Sequence, residues 1–127
     1  MNRSIACLIA VLICVGSQVA VRAADKPKNA KCVAACKECA KECNSCAECC
    51  KKDRPECSKI CTTCERMCLV CASLFEQNSE LADDACRLCE KMCRACAKHC
   101  ESQDADCCKA CAQQCKKCAE ACKAAQK

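Results

Sequence analysis

Cysteine makes up 25 of the 127 residues, and its spacing defines an array of possible ligands. From residue 32 onward the cysteines fall into four sets. These are Cys32, Cys36, Cys39, Cys43, Cys46 and Cys50; Cys57, Cys61, Cys64, Cys68 and Cys71; Cys86, Cys89, Cys93, Cys96 and Cys100; and Cys108, Cys111, Cys115, Cys118 and Cys122. Within every set the steps alternate between three and four. Cys49 and Cys107 stand beside the first and last sets, and His99, the only histidine, precedes Cys100. A thiol can act as a soft anionic ligand, as half of a disulfide, or as a small apolar side chain. The array has to be weighed against all three chemistries.

Composition removes other function classes. With one Phe and no Trp or Tyr, there is no surface on which nucleic-acid bases could stack. The only glycine is Gly16, so no glycine-rich loop can cradle phosphates. No Ser/His/Asp set or cofactor motif is visible, and an enzyme is not expected. Lysines and glutamates are interspersed, which describes a mixed soluble surface with no basic patch for nucleic acid or anionic lipid.

Residues 1–23 read as a secretory signal. Arg3 gives a positive start, Ile5–Val15 is apolar, and Val21-Arg22-Ala23 fits a small-residue cleavage pattern. Losing Arg3 and Arg22 lowers the net charge by two, from +5 to +3. The expected location is outside the cytoplasm, periplasmic or secreted, with no membrane span beyond the leader. In the leader, Cys7 and Cys14 act as small apolar residues.

Residues 24–127 must position the array. A mean step of 3.5 is the core seam of a helix packed at a small angle on its neighbours. The residues between the cysteines are mostly Ala, Lys, Glu, Arg and Gln, all good helix formers. Four helices are predicted, over 30–51, 55–75, 80–101 and 104–125. Asp53 and Pro55 suit the start of the second, Asn78 or Ser79 that of the third, and Ser102 or Asp104 that of the fourth. Short connections make neighbours antiparallel. The expected fold is all-α, an up-down-up-down four-helix bundle with a cysteine-lined core.

Ten large apolar side chains in residues 24–127 are too few for an ordinary core. Cysteine is too small to fill a bundle centre, so the seam is expected to leave volume for an occupant. Disulfides are one answer, as in a stapled secreted structural or defensive protein. Against it, residues 24–127 hold an odd count of 23 cysteines. Cβ atoms three or four apart on a helix are also about 5–6 Å apart, wide for a disulfide. A thiol redox buffer would need exposed, acidic cysteines in place of a buried seam.

Metal is the other answer, and charge selects among metals. Divalent zinc in four-thiolate sites leaves each site at −2 in a low-dielectric interior. Cu(I) adds one positive charge per ion, prefers soft thiolates and tolerates two or three of them. Bridging thiolates then bring the interior close to neutrality. The expected load is roughly 11–23 Cu(I) per chain, between unshared and fully shared sulfurs.

The sequence resembles the bacterial copper storage proteins over its whole mature length. The resemblance rests on Cys32-x3-Cys36-x2-Cys39-x3-Cys43-x2-Cys46, on Cys86-x2-Cys89-x3-Cys93-x2-Cys96-x3-Cys100, and on the stretch Cys-Arg-Leu-Cys-Glu-Lys-Met-Cys at 86–93. It implies a homo-oligomer, a dimer or tetramer, of four-helix bundles that bind many Cu(I) ions for supply or detoxification. This chain departs in carrying more cysteines than are expected of an exported member, and in lacking the twin-arginine leader that would let a folded, loaded protein cross the membrane.

In an up-and-down bundle, the first and third connections share one end. That end gathers Cys46, Cys49, Cys50, Cys57, Cys100, Cys107, Cys108 and His99, so copper is expected to enter there. His99 is either a transfer ligand or a surface histidine at a helix C-terminus. Leu74, Phe75 and Leu81 should plug the other end. Met67 and Met92 are read as filling gaps beside the seam, and Leu69, Val70 and Leu88 as pointing away from it toward an oligomer surface.

Overall fold

The computed structural model describes residues 26–127, with side chains from residue 28. The leader segment lies outside the described residues. The helices are α1 (Lys26–Cys50), α2 (Pro55–Glu76), α3 (Ala82–Glu101) and α4 (Asp106–Ala125). At 1.5 Å per residue each is about 30–37 Å long. Each helix packs on two neighbours, in the pairs α1/α2, α2/α3, α3/α4 and α4/α1. This is the up-down-up-down bundle expected from the 3.5 step and the short connections.

The helix ends depart from expectation. α1 begins at Lys26, four residues before the predicted start, with a proline in its first turn. A proline costs nothing there, because the N–H it lacks would have no helical partner. α2 has Arg54 at its N-cap and Pro55 at N1, so Asp53 is not the cap. α3 starts after Leu81 and α4 after Ala105, neither with a side-chain cap. Ser79 nevertheless accepts the Leu81 N–H on its hydroxyl at 3.2 Å.

Asn78 closes α2 and does not open α3. It has φ 53°, in the left-handed region. The Ser79 N–H reaches back to the Leu74 carbonyl at 3.0 Å, and the Asn78 N–H to Phe75 at 3.1 Å. This is the Schellman arrangement that ends a helix, and asparagine is the residue after glycine best suited to it.

Only two residue types are buried among the described residues, cysteine and alanine. Heptad counting puts the seam cysteines on the bundle axis. It puts Ala40, Ala47 and Ala72 between α1 and α2, and Ala97, Ala112 and Ala119 between α3 and α4. These small flanks let paired backbones approach closely, and the Ser58 hydroxyl reaches across α1/α2 to the Ala47 carbonyl at 2.8 Å. The other two interfaces carry larger flanking residues, Ile60, Met67, Met92 and His99 between α2 and α3, and Cys49 and Cys107 between α1 and α4. Met67, Met92 and Phe75 are half-buried against the cysteine core.

Surface pairs run along the two alanine-lined interfaces. Lys37 meets Glu76 at 3.1 Å, Arg94 meets Glu120 at 3.1 Å, and Lys116 meets Glu101. Exposed pairs of this kind add little stability. At the far end, the Lys127 N–H donates to Asp83 at 2.9 Å and Gln126 donates to Glu90 at 2.7 Å, fastening the chain end to α3. Asn78→Val should lower the stability of the metal-free protein by about 1–2 kcal/mol through its left-handed backbone, whereas Asn78→Gly should be neutral or stabilising. Thermal unfolding of the two variants side by side measures this.

Candidate metal centre

The four seams converge into one sulfur network. All 21 free cysteines among the described residues are buried, each with 0–1 % of its surface exposed. Cys32 lies 3.8 Å from Cys86 and 3.7 Å from Cys122, and Cys36 lies 3.7 Å from Cys118. Toward the middle, Cys39 meets Cys115 at 3.7 Å, Cys64 meets Cys93 at 3.8 Å, and Cys43 meets Cys111 at 3.8 Å. Toward the loop end, Cys61 meets Cys100 at 3.7 Å, Cys57 meets Cys108 at 3.7 Å, and Cys50 meets Cys108 at 3.4 Å. The Cys32–Cys86 and Cys57–Cys108 contacts join helices that are diagonal in the bundle, so the sulfurs meet on the axis itself.

These distances correct one expectation. Along these contacts the small side chains do not leave an empty middle, because the helices draw together until sulfur touches sulfur. Metal still fits. With a metal–thiolate bond of about 2.3 Å, three sulfurs around one ion lie about 4.0 Å apart, and four around a tetrahedral ion about 3.8 Å apart. The bundle holds its sulfurs at those separations already, so an ion can enter a face of three touching sulfurs with little helix movement.

The sulfurs are also shared. Groups of four within 4.8 Å of one another include Cys32/Cys36/Cys71/Cys122, Cys36/Cys89/Cys118/Cys122, Cys39/Cys43/Cys64/Cys115, Cys39/Cys68/Cys93/Cys118 and Cys43/Cys96/Cys111/Cys115. Cys36 and Cys122 belong to the first two, and Cys39, Cys43, Cys115 and Cys118 each belong to two. Isolated tetrahedral sites cannot all form from overlapping sets. Bridging thiolates around small, low-coordinate, monovalent ions can.

Cys49 and Cys107, expected among the ligands, are instead joined in a disulfide, the only one among the described residues. They flank the seam, Cys49 exposed and Cys107 half-buried, so they face each other across α1/α4 and not the axis. Closing 58 residues of chain, the bond contributes about 4 kcal/mol in the chain-entropy account. His99 is half-buried, and the five sulfur groups above do not include it. The expected plug is partial, since Phe75 packs on the core while Leu81 is 57 % exposed.

Thiols so close cannot all ionise together. Burial raises Cys46, Cys57 and Cys108, the last to about 12. Cys43 and Cys61 are raised chiefly by their hydrogen-bonding neighbours Cys111 and Cys100. Cys96 is lowered to about 6, chiefly by its hydrogen bond with Cys100. A thiolate that collects such bonds suppresses ionisation around it, so positive charge must arrive before the rest can deprotonate. Metal loading therefore releases protons.

Cys46, Cys57 and Cys108, raised by burial, fix the sign of the pH dependence on the alkaline side. Above the ordinary thiol pKa of about 8.5 the unfolded chain gives up protons that the fold retains. Above that pH the stability of the reduced, metal-free bundle should fall as the pH rises toward the value of about 12 at Cys108. Urea midpoints at pH 9, 10 and 11 test this. A midpoint that rises with pH contradicts it.

Comparison with known proteins places this geometry. No curated protein matches the chain. Among solved structures, the chain is similar to the Cu(I)-bound copper storage protein BsCsp3, at 30 % identity and a TM-score of 0.75, over 79 % of this chain and 99 % of that one. It is similar to apo copper storage protein 3 from Bacillus subtilis, at 33 % identity and a TM-score of 0.72, over 76 % of this chain and 98 % of that one. The model of the copper storage protein family matches residues 25–127. A bundle whose axis is a continuous thiol network, matched over nearly all of its described length, belongs to the copper storage protein family.

Proposed function

We propose that this chain stores Cu(I) outside the cytoplasm as cargo on its axial thiolates, for supply or for detoxification, and without catalysis. The overlap of the four-sulfur groups carries the reading. A sulfur deprotonated by one ion is ready to bridge to a second, so ions fill the axis as a connected row, and their charge offsets that of the thiolates. With Cys49 and Cys107 oxidised, 21 thiols remain. The load is then about 10–21 Cu(I) per chain.

Two observations support the location. The family match begins at residue 25, just past the expected leader. The Cys49–Cys107 disulfide suits an oxidising compartment. Assembly into a homo-oligomer is supported by Leu69, Val70 and Leu88, which are 48–57 % exposed on α2 and α3.

Copper enters at the loop end. There Cys46, Cys50, Cys57, Cys100 and Cys108 converge, and Arg54 bridges the two loops by donating to the Asp104 carbonyl at 3.3 Å. His99 stands at that end on the α2/α3 side and serves as a transfer ligand.

Anaerobic titration with Cu(I) against a chelator should give at least ten ions per chain, with protons released as they bind. Two ions or fewer would end the storage reading. His99→Ala should slow both copper uptake and chelator-driven removal while leaving the final stoichiometry within about one ion. Unchanged stopped-flow rates would remove His99 from the transfer path.

A further inference from the structure

Two cysteines are left out of the storage axis, and their position is specific. Cys49 and Cys107 immediately precede Cys50 and Cys108, whose sulfurs make the 3.4 Å contact at the loop end. Their disulfide clamps the end of α1 to the start of α4, beside the five cysteines where copper is received. Cys49 is exposed, so a reductant in solution can reach the bond, whereas the axial thiols are buried. The Cα atoms are 6.7 Å apart, near the upper limit of about 6.8 Å for a disulfide. That separation leaves room for the freed sulfurs to part to the roughly 4.6 Å required by a two-coordinate ion with metal–sulfur bonds of about 2.3 Å.

We propose that Cys49 and Cys107 form an additional, redox-gated Cu(I) site at the mouth of the bundle, closed as a disulfide and opened by a dithiol reductant. The inference rests on the copper-storage reading above. In the opening step the S–S bond breaks, and two electrons and two protons pass from the dithiol to Cys49 and Cys107. The dithiol leaves as a disulfide. One Cu(I) then binds both sulfurs and displaces the two thiol protons. Standing outside the axis, this ion exchanges with solution faster than those within it. The reduced protein therefore both holds more copper and passes it on more readily, while the oxidised protein keeps what the axis holds.

The test compares the full chain before and after treatment with a dithiol that is then removed. Thiol labelling first checks that treatment exposes two new thiols. Cu(I) titration should then find about one additional ion per chain in the reduced protein, and a chelator should withdraw that ion in a separate fast phase. The double variant C49S/C107S should lose both dithiol-dependent changes. If that variant fails to fold, as far-UV circular dichroism would reveal, alkylating the two freed thiols of the wild type replaces it and should likewise abolish the extra ion and the fast phase. Equal stoichiometry and equal withdrawal kinetics before and after reduction would make the disulfide a structural staple and overturn the proposal, with the storage reading intact. If neither form binds more than two ions, the storage reading itself fails, and that result is distinct from equal but high loading.

Discussion

Contact between thiol and thiol along one axis is the constraint that organises the molecule. A side chain must be small for four helices to close around it, and it must be able to lose a proton for the closed interior to hold cations. Cysteine meets both demands, and alanine meets the first. Among the described residues, the buried ones consist of these two types alone. The close helix pairs, the alanine flanks and the polar exterior are consequences of bringing sulfurs to 3.4–4.0 Å in every direction.

The same constraint suits storage. A functional metal site usually fixes one ion with a unique ligand set and oriented outer partners. Here the ligands are of one kind and are shared, and no polar or charged residue is buried among the described residues. Such an environment does not tune an individual ion. It accommodates many equivalent ones, at a charge close to neutral when each sulfur has its share.

The seam was legible in the sequence because steps of three and four admit only one backbone, and every one of the 21 axial cysteines lies where that spacing puts it. The helix ends were less legible. Asn78 looked like a residue that opens a helix, since its side chain can cap one. Its left-handed backbone, set by hydrogen bonds back to Leu74 and Phe75, uses the residue's tolerance of positive φ instead. The disulfide was hidden because Cys49 and Cys107, though set apart from the seam, were read among the copper ligands of the loop end. The signal lay in the doubled cysteines, Cys49-Cys50 and Cys107-Cys108. Two doublets at facing helix ends of an antiparallel pair put one member of each on the axis and the other on the shared flank.

A core of cysteine and alanine, with a few larger side chains half-buried against it, buries little apolar surface for its length, so the empty bundle has a modest hydrophobic reserve. Whatever binds the native array and not the unfolded chain adds its binding energy to the fold. Resistance to unfolding, and with it to proteolysis, then rises with the number of ions held. The chain thereby acts as a gauge of its own contents: depleted molecules become the ones a protease can clear, and full ones persist.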